Sequence, residues 1–503
     1  MRLNILIGGK AGQGINAVSG IIAKVLADYG YFTFNYRDYQ SLIRGGHNFN
    51  VLSLSDEWIA SHESEIDFII ALDENTISLH KNKLKKSGKI IPYSLFPDAG
   101  KNLNIALASA LVKIFGLPKE LILKHAEKFQ DSGKAVENGY ESQKQELNLK
   151  KLNNKISIIS GTQGIASGAI NSGMNIYYAY PMTPATPLMH ELAGRQKDDF
   201  FVFQPENEVA GINQALGSSF AGKITMIGTS GGGFDLMTEA LSFSGQSEIP
   251  IVVYLASRPG PSTGIPTYTS QDDLDIALRA GHGEFPRIVL APGDANECIE
   301  KTNEAFYLAE KYKCPVILLS DKHLAESDFS HDKKANPILK IKMNRKIPGK
   351  EIIKASSYEH LAGGETTESE TEAIKNAKAR LKKYSEIKKE IEKLEPIKIY
   401  GKQSKNLIIA WGSTKGAILD SIKNLDCRFM QVLYLKPLSD KIKKEMLTAE
   451  NIILIENNAT GQLGRLLREK TGISIEEKNR ILKYDGRPFT SDLLREKIKG
   501  RLV

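Results

Sequence analysis

The sequence predicts an α/β protein built of three doubly wound units, and three observations predict it. Short apolar, strand-like runs alternate with helix-like runs along three stretches of the chain. Such alternation builds a sheet with helices on its faces. Several strand runs, IPIVVYLAS and CPVILLS among them, are apolar almost throughout, which suits parallel strands buried on both sides. Turns rich in glycine or proline follow several of these runs, at the strand ends where such sheets bind ligands.

The first unit is placed at residues 1–150. LNILIG reads as a strand, AVSGIIAKVLADYG as a helix, and FIIAL and KIIPY as further strands. The polar stretch 117–155 marks its boundary. The second unit, 155–330, has the strands ISIISG, IYYAY, FFVFQ, KITMIGTS, IPIVVYLAS and CPVILLS, with helices such as EVAGINQALGSSFAG between them. Residues 331–400 form a charged linker. Within it 371–395 reads as a long helix whose apolar positions, from Ile374 through Leu381 and Ile387 to Leu394, make one narrow stripe. The third unit, 401–503, carries the strands NLIIAWG, FMQVLYL and NIILIEN with three helices.

Composition narrows the function. At 503 residues, three or four domains are expected. The net charge of +8 comes mostly from residues 331–400, where 17 Lys/Arg stand against 11 Asp/Glu. With no aromatic interleaving and no nucleic-acid motif, these charges read as a solvated helix and not as a nucleic-acid surface. No run of eighteen apolar residues is present, so no membrane span is expected. The N-terminus moves from strand to glycine turn without the basic and apolar regions of a signal peptide. Cys298, Cys314 and Cys427 form no Cys-x-x-Cys pair and no disulfide framework. That excludes a cluster or zinc site held by this chain and points to the cytoplasm.

Four turns carry candidate chemistry, and each also has a plain structural reading. Tyr180–Pro187, YPMTPATP, precedes a helical run, with Thr183 and Thr186 as candidate N-caps each followed by a proline. A helix start welcomes an anion, but it also reads as an ordinary capped helix. Gln204-Pro205-Glu206-Asn207-Glu208 sets two acids in a first helical turn, where acids often serve only the helix dipole. Gly228-Thr229-Ser230-Gly231-Gly232-Gly233 permits close approach of a ligand, or is a tight turn; it is no Walker A loop. Arg258 opens RPGPSTGIPT after a strand, where its planar fork matches a carboxylate, or it is a surface arginine.

Together, in this order and spacing, the four turns with Gln271 and Asp273 resemble the alpha subunit of 2-oxoacid:ferredoxin oxidoreductases. The likeness continues in AWGSTKGA, IENNATGQL and YDGRPFT. The N-terminal GGKAGQG and SLIRGGHN, including Arg44 and His47, look like the gamma subunit of the same enzymes. The resemblance implies a gamma-like domain, a pyrimidine-binding thiamine-diphosphate domain and a transketolase C-terminal-like domain.

It also implies roles. Glu208, with Glu206 as second choice, matches the glutamate that bonds the aminopyrimidine N1′ of thiamine diphosphate, so that the cofactor carries the hard chemistry. Thr229, Ser230 and Gly231 are the other cofactor-binding candidates. Thr183 and Arg258 match the residues that meet the oxoacid, and Ser262 and Thr263 are expected to line the same pocket. The implied reaction is coenzyme A-dependent oxidative decarboxylation of a 2-oxoacid, 2-oxoglutarate or a broad range, with reduction of ferredoxin. The gamma–alpha fusion favours that substrate range over a pyruvate- or branched-chain-specific relative. A non-redox thiamine enzyme half and a non-catalytic assembly subunit are the further alternatives. The chain lacks a Gly-Asp-Gly motif, since Gly293-Asp294 continues with Ala295. Mg2+ and the [4Fe-4S] cluster are therefore expected on a separate beta subunit. Two positions depart from the family pattern: Pro259 stands where glycine is common and Gly232 where proline is common. GGKAGQG is not G-x-G-x-x-G, so no ligand is assigned to the N-terminal unit, and His47, His282 and His323 read as isolated.

Overall fold

The structure, a computed structural model, describes residues 1–41, 45–331, 338–343, 345–351, 353 and 356–502. It divides into two compact units, Met1–Ser160 with Ser327–Lys334 and Phe489–Glu496, and Gly161–Glu326 with Ala335–Pro488 and Lys497–Val503.

The first unit holds β1 (Arg2–Lys10), β2 (Phe32–Asp38), β3 (His47–Ser55), β4 (Ile66–Ala71), β5 (Leu84–Pro92), β6 (Ser157–Ser160) and, later in the chain, β13 (Asp328–His331). They form one sheet in the order β5-β4-β1-β3-β2-β13-β6. β1, β4 and β5 run parallel, and the remaining pairs are antiparallel. Ile5 and Ile7 of β1 pack with Val18, Ile22 and Leu26 of the helix Ile15–Asp28 and with Leu107 and Leu111 of Leu103–Ile114. Each such buried side chain is worth roughly 1.5–3 kcal/mol. ISIISG, read as the opening strand of the second unit, thus lies in the first sheet. Its partner is β13, some 170 residues away, and pairing at that distance leaves no local trace.

The second unit carries two sheets. β7 (Ile176–Tyr178), β8 (Phe201–Phe203), β9 (Thr225–Thr229), β10 (Ile251–Ser257), β11 (Ile288–Leu290) and β12 (Pro315–Asp321) are parallel, in the order β11-β12-β10-β9-β7-β8. β14 (Ile397–Gly401), β15 (Asn406–Ala410), β16 (Arg428–Val432), β18 (Asn451–Glu456) and β19 (Arg480–Leu482) make the other, parallel except at β14. β17 (Tyr434–Lys436) leaves its neighbours and joins β11 in antiparallel pairing.

FMQVLYL is therefore two strands in two sheets. The chain changes sheet at Leu433, whose N–H donates to Pro396 O (3.0 Å) while its carbonyl accepts from Ala291 N (2.9 Å). One apolar cluster runs through both sheets, from Ile212, Leu255 and Leu274 to Trp411, Leu454 and Leu466. The expected linker helix spans Glu370–Ile391. Ile387 and Ile391 near its end are buried, whereas Ile374 in its second turn and Leu381 at its middle are exposed. No helix among the described residues is long and apolar enough to cross a membrane.

Candidate active site

β8, β7, β9 and β10 are neighbours and parallel, so their C-terminal ends share one edge of the sheet. The four candidate turns follow those four ends. This is the place where an open α/β sheet gathers residues far apart in sequence.

After β8, Asn207 caps the helix Glu208–Phe220, its side chain accepting from Ala210 N at 2.9 Å. Glu208 is thus the first helical residue. It is only 4% exposed, and its Oε1 is buried without a hydrogen-bond partner. Glu206 is exposed, so burial separates the two acids. After β9, Thr229 and Ser230 are fully buried, and the Ser230 hydroxyl also lacks a partner. The short helix Gly231–Asp235 brings Gly233 against Glu208: an added Cβ would lie 2.6 Å from Oε1 and still nearer the Thr229 hydroxyl. Glycine is required there by the close approach. At Gly231 the same addition would meet Asp273 Oδ1 at 2.7 Å.

After β7, Thr186 is the first residue of the helix Thr186–Ala193, and Ala185 stands at the cap without a side-chain bond. The expected threonine caps do not form, because the turn is closed by the main chain, Ala185 N donating to Met182 O at 2.8 Å. Thr183–Pro184 is a cis peptide. After β10, half-buried Arg258 donates from Nη1 to Thr183 O at 2.7 Å. Met182 Sδ lies 4.0 Å from Thr229 Oγ1. Glu208, Gly233, Thr229, Met182, Thr183 and Arg258 therefore form one continuous cluster. Ser262 and Thr263 are exposed farther along the Arg258 loop. That loop closes through Ile265 N to Pro259 O, at 3.1 Å. Proline at 259 loses nothing there, since the loop uses its carbonyl. Gly232 has open space where a Cβ would go.

Sequence reasoning named Asp273 only as part of a pattern, and the structure gives it a place. Burial pushes its carboxyl up to about 6, Asp272 and Asp235 add to this, and Arg258 opposes it. Burial likewise lowers Arg258, and Asp273 counters that. Gln271 ties this loop to the third sheet. Its Nε2 donates to Trp411 O, its Oε1 accepts from Asn457 N, and its N–H donates to Asn457 O, each at 2.8 Å.

The other motifs have structural partners. Asp294 caps the helix Ala295–Tyr312 and pairs with Lys415. His47 is not isolated: its Nε2 meets His80 Nε2 at 2.8 Å, and burial lowers His80 to about 3. Arg44 lies outside the described residues. Cys298, Cys314 and Cys427 are all buried, and burial pushes the Cys314 thiol up to about 12. Among the described residues, no group of three or more His, Cys, Asp or Glu is placed to hold a metal ion.

Residues 167–396 match the family "Pyruvate flavodoxin/ferredoxin oxidoreductase, thiamine diP-bdg", and residues 4–138 match "Pyruvate ferredoxin/flavodoxin oxidoreductase". The chain is 30% identical to the 2-oxoacid:ferredoxin oxidoreductase subunit alpha of a Sulfolobus species, over 99% of this chain and 96% of that one. It is 40% identical to the 2-oxoglutarate synthase subunit KorA of Archaeoglobus fulgidus over 34% of this chain and 51% of that one. Its fold is similar to that of the 2-oxoglutarate:ferredoxin oxidoreductase from Magnetococcus marinus, solved with 2-oxoglutarate, coenzyme A and succinyl-CoA bound. The TM-score is 0.89, with 26% identity and 99% of each chain covered.

Proposed function

Because the chain belongs to the alpha subunits of the 2-oxoacid:ferredoxin oxidoreductases, with the gamma-like unit at its N-terminus, we propose that it supplies the pyrimidine side of a thiamine-diphosphate site. With a separate beta subunit it catalyses the oxidative decarboxylation of a 2-oxoacid. The oxoacid and coenzyme A give acyl-CoA and CO2, and two electrons pass one at a time to ferredoxin.

The observation that carries this reading is the buried, unpartnered Glu208 Oε1 against Gly233. An orphaned buried carboxylate is costly unless a ligand satisfies it. The absence of a Cβ at Gly233 lets that turn lie directly against the Glu208 carboxylate and the Thr229 hydroxyl. Both features fit an aminopyrimidine. Thiamine diphosphate, when bound, supplies the electron sink for decarboxylation. Glu208 holds the proton shared with the ring nitrogen, and the buried Ser230 hydroxyl offers a further hydrogen bond to the cofactor. The Thr229 hydroxyl and the Glu208 carboxylate both lie against Gly233.

Arg258 is the residue for the substrate carboxylate. Its Nη1 is spent on Thr183 O, which aims the fork, and its other nitrogens donate to no described residue. Asp273 keeps the guanidinium charged against burial. Thr183 is held beside it, while Ser262 and Thr263 sit at the exposed rim.

Each of the four turns has an exposed apolar side chain in it or just after it: Tyr180, Val209, Leu236 and Ile265. Such a ring around polar groups suits a face covered by another chain. The beta subunit fits it, and Mg2+ and the [4Fe-4S] cluster are assigned there. The substrate range favoured is 2-oxoglutarate or broad, in keeping with the names of the relatives.

The test is co-expression with a beta subunit and viologen reduction across pyruvate, 2-oxoglutarate and branched 2-oxoacids. Glu208→Ala and Glu208→Gln are expected to lose at least about a hundredfold in turnover while the subunits still associate. Normal turnover in Glu208→Ala would leave a non-catalytic assembly role. Preference for pyruvate alone would correct the substrate.

A further inference from the structure

A cavity of about 490 Å³ lies away from the four turns. It is bounded by the helices Leu274–Arg279, Glu370–Ile391, Asp440–Leu447 and Gln462–Thr471 and by β17. Its floor is apolar, with Leu278, Leu435, Leu438, Ile442 and Leu466. Its charged lining is five cations, Arg279, Lys388, Lys436, Lys443 and Lys470, against the two acids Asp440 and Glu469.

Both acids are already engaged. Asp440 pairs with Lys388 at 2.6 Å, and Glu469 with Arg279 at 2.5 Å and with Lys470 at 2.8 Å. Lys436 and Lys443 are left without a carboxylate. The half-buried Lys436 donates only to a neutral acceptor, Leu278 O, at 2.7 Å.

A second observation is independent of the cavity lining. Arg287 is 4% exposed, and its Nε and Nη1 are buried without hydrogen-bond partners. Its guanidinium stacks 4.5 Å over the Phe285 ring, and the Phe285 carbonyl accepts from Tyr384, which lines the cavity. Lys436 feels that charge: burial first, then Arg287, Lys470 and Arg279, bring it down to about 8, with Glu469 opposing. Uncompensated buried cations are costly, and a bound anion offsets the cost.

We propose that this cavity binds a phosphorylated small molecule, its phosphate against Lys436 and Lys443 with Arg287 behind, and its organic part on the leucine and isoleucine floor. Two cations without a carboxylate, and a third behind them, call for a dianion. The volume is that of a small-molecule site, larger than inorganic phosphate alone requires.

The test uses the full-length chain, with inorganic phosphate, adenosine and ADP as probes in about 0.15 M salt, read by calorimetry. ADP is expected to bind more tightly than phosphate or adenosine. Lys436→Met is expected to weaken ADP at least about tenfold, Lys443→Met less, and Lys436→Arg to retain most of the affinity. If Lys436→Met does not fold, Lys443→Met with the salt dependence carries the same comparison. The proposal is overturned if ADP does not bind by roughly 10 mM, or if its affinity is the same in the Lys436 and Lys443 variants. Adenosine binding as well as ADP would overturn the phosphate contact. Phosphate binding as well as ADP would overturn the apolar subsite.

Discussion

A Cβ placed on Gly233 would stand 2.6 Å from Oε1 of Glu208. The backbone of one turn therefore fixes where the acid of another turn sits. In Gly233→Ala the carboxylate or the short helix must shift by a fraction of an ångström to an ångström. Misplacement on that scale costs about a hundredfold in rate. The expected result is a fall of that size in viologen reduction, and weaker thiamine-diphosphate reconstitution, with stability lowered by only about 1–3 kcal/mol, the cost of one added methyl in a packed site. Wild-type turnover in this variant would mean that Glu208 is not held where the mechanism needs it.

Arg258 meets its partner through one nitrogen, leaving the rest of the fork for substrate. Removing it by Arg258→Ala is expected to raise KM for the oxoacid about a hundredfold, with a smaller effect on kcat. Lysine restores the charge but not the bidentate geometry, so Arg258→Lys recovers only about a tenth of the lost affinity. A lowered kcat at unchanged KM would remove Arg258 from the substrate and leave it only the bond to Thr183.

These residues were legible because each turn follows a strand whose apolar run is unmistakable, and the turn residues are local signals. Asn207 as a cap leaves Glu208 inside the helix and Glu206 outside, a distinction the sequence alone ranked only by pattern. The strand at 157–160 was placed in the wrong sheet because its partner, 328–331, is remote in sequence. FMQVLYL hid a change of sheet, since Leu433 is as apolar as its neighbours and differs only in where its backbone bonds go. The His47–His80 pair was missed because two histidines 33 positions apart, on a strand and a helix, carry no spacing signal. Arg287 gave none either: with Glu284 three positions before it, the sequence reads as an ordinary ion pair and gives no sign of a buried guanidinium with unpartnered nitrogens.

Gln271 has no exposed surface and joins the Arg258 loop to the third sheet by two side-chain bonds, to Trp411 O and from Asn457 N. In Gln271→Ala both main-chain groups stay buried; Asn457 N loses its acceptor, while Trp411 O keeps the Thr414 hydroxyl at 2.7 Å. An orphaned buried donor costs about 1–3 kcal/mol, so a loss of about 1–3 kcal/mol is expected in urea unfolding. Trp411 fluorescence in a Trp58→Phe background reports on this unit alone. Because Asp273 follows two residues later and packs on Gly231, KM for the oxoacid should rise as well. Unchanged stability would mean that the two sheets are joined by their apolar cluster and not by this residue.

Glu297 binds the second sheet's helix to the third sheet electrostatically. Lys415 Nζ lies 2.6 Å and Lys398 Nζ 3.1 Å from its Oε1, while Gln431 Nε2 and Gly293 N donate to Oε2 at 2.6 and 2.8 Å. Burial alone would raise this carboxyl, but the two lysines and these hydrogen bonds bring it to about 2, from an ordinary 4.5. A carboxyl depressed in the folded state stabilises it fully above the unfolded value, and that contribution disappears as pH falls from about 4.5 to about 2. Its size is about 3 kcal/mol. Lys415→Met leaves the acid buried with one cation fewer, so it should lose about 3 kcal/mol at pH 7 and begin acid unfolding at higher pH. The double variant Lys415→Met with Glu297→Gln should recover part of the loss, since it no longer buries an under-compensated charge. Urea midpoints followed by Trp411 fluorescence from pH 7 down to pH 3 separate these cases. Parallel pH profiles for wild type and Lys415→Met would show that Lys398 and the neutral donors hold Glu297 ionised without Lys415.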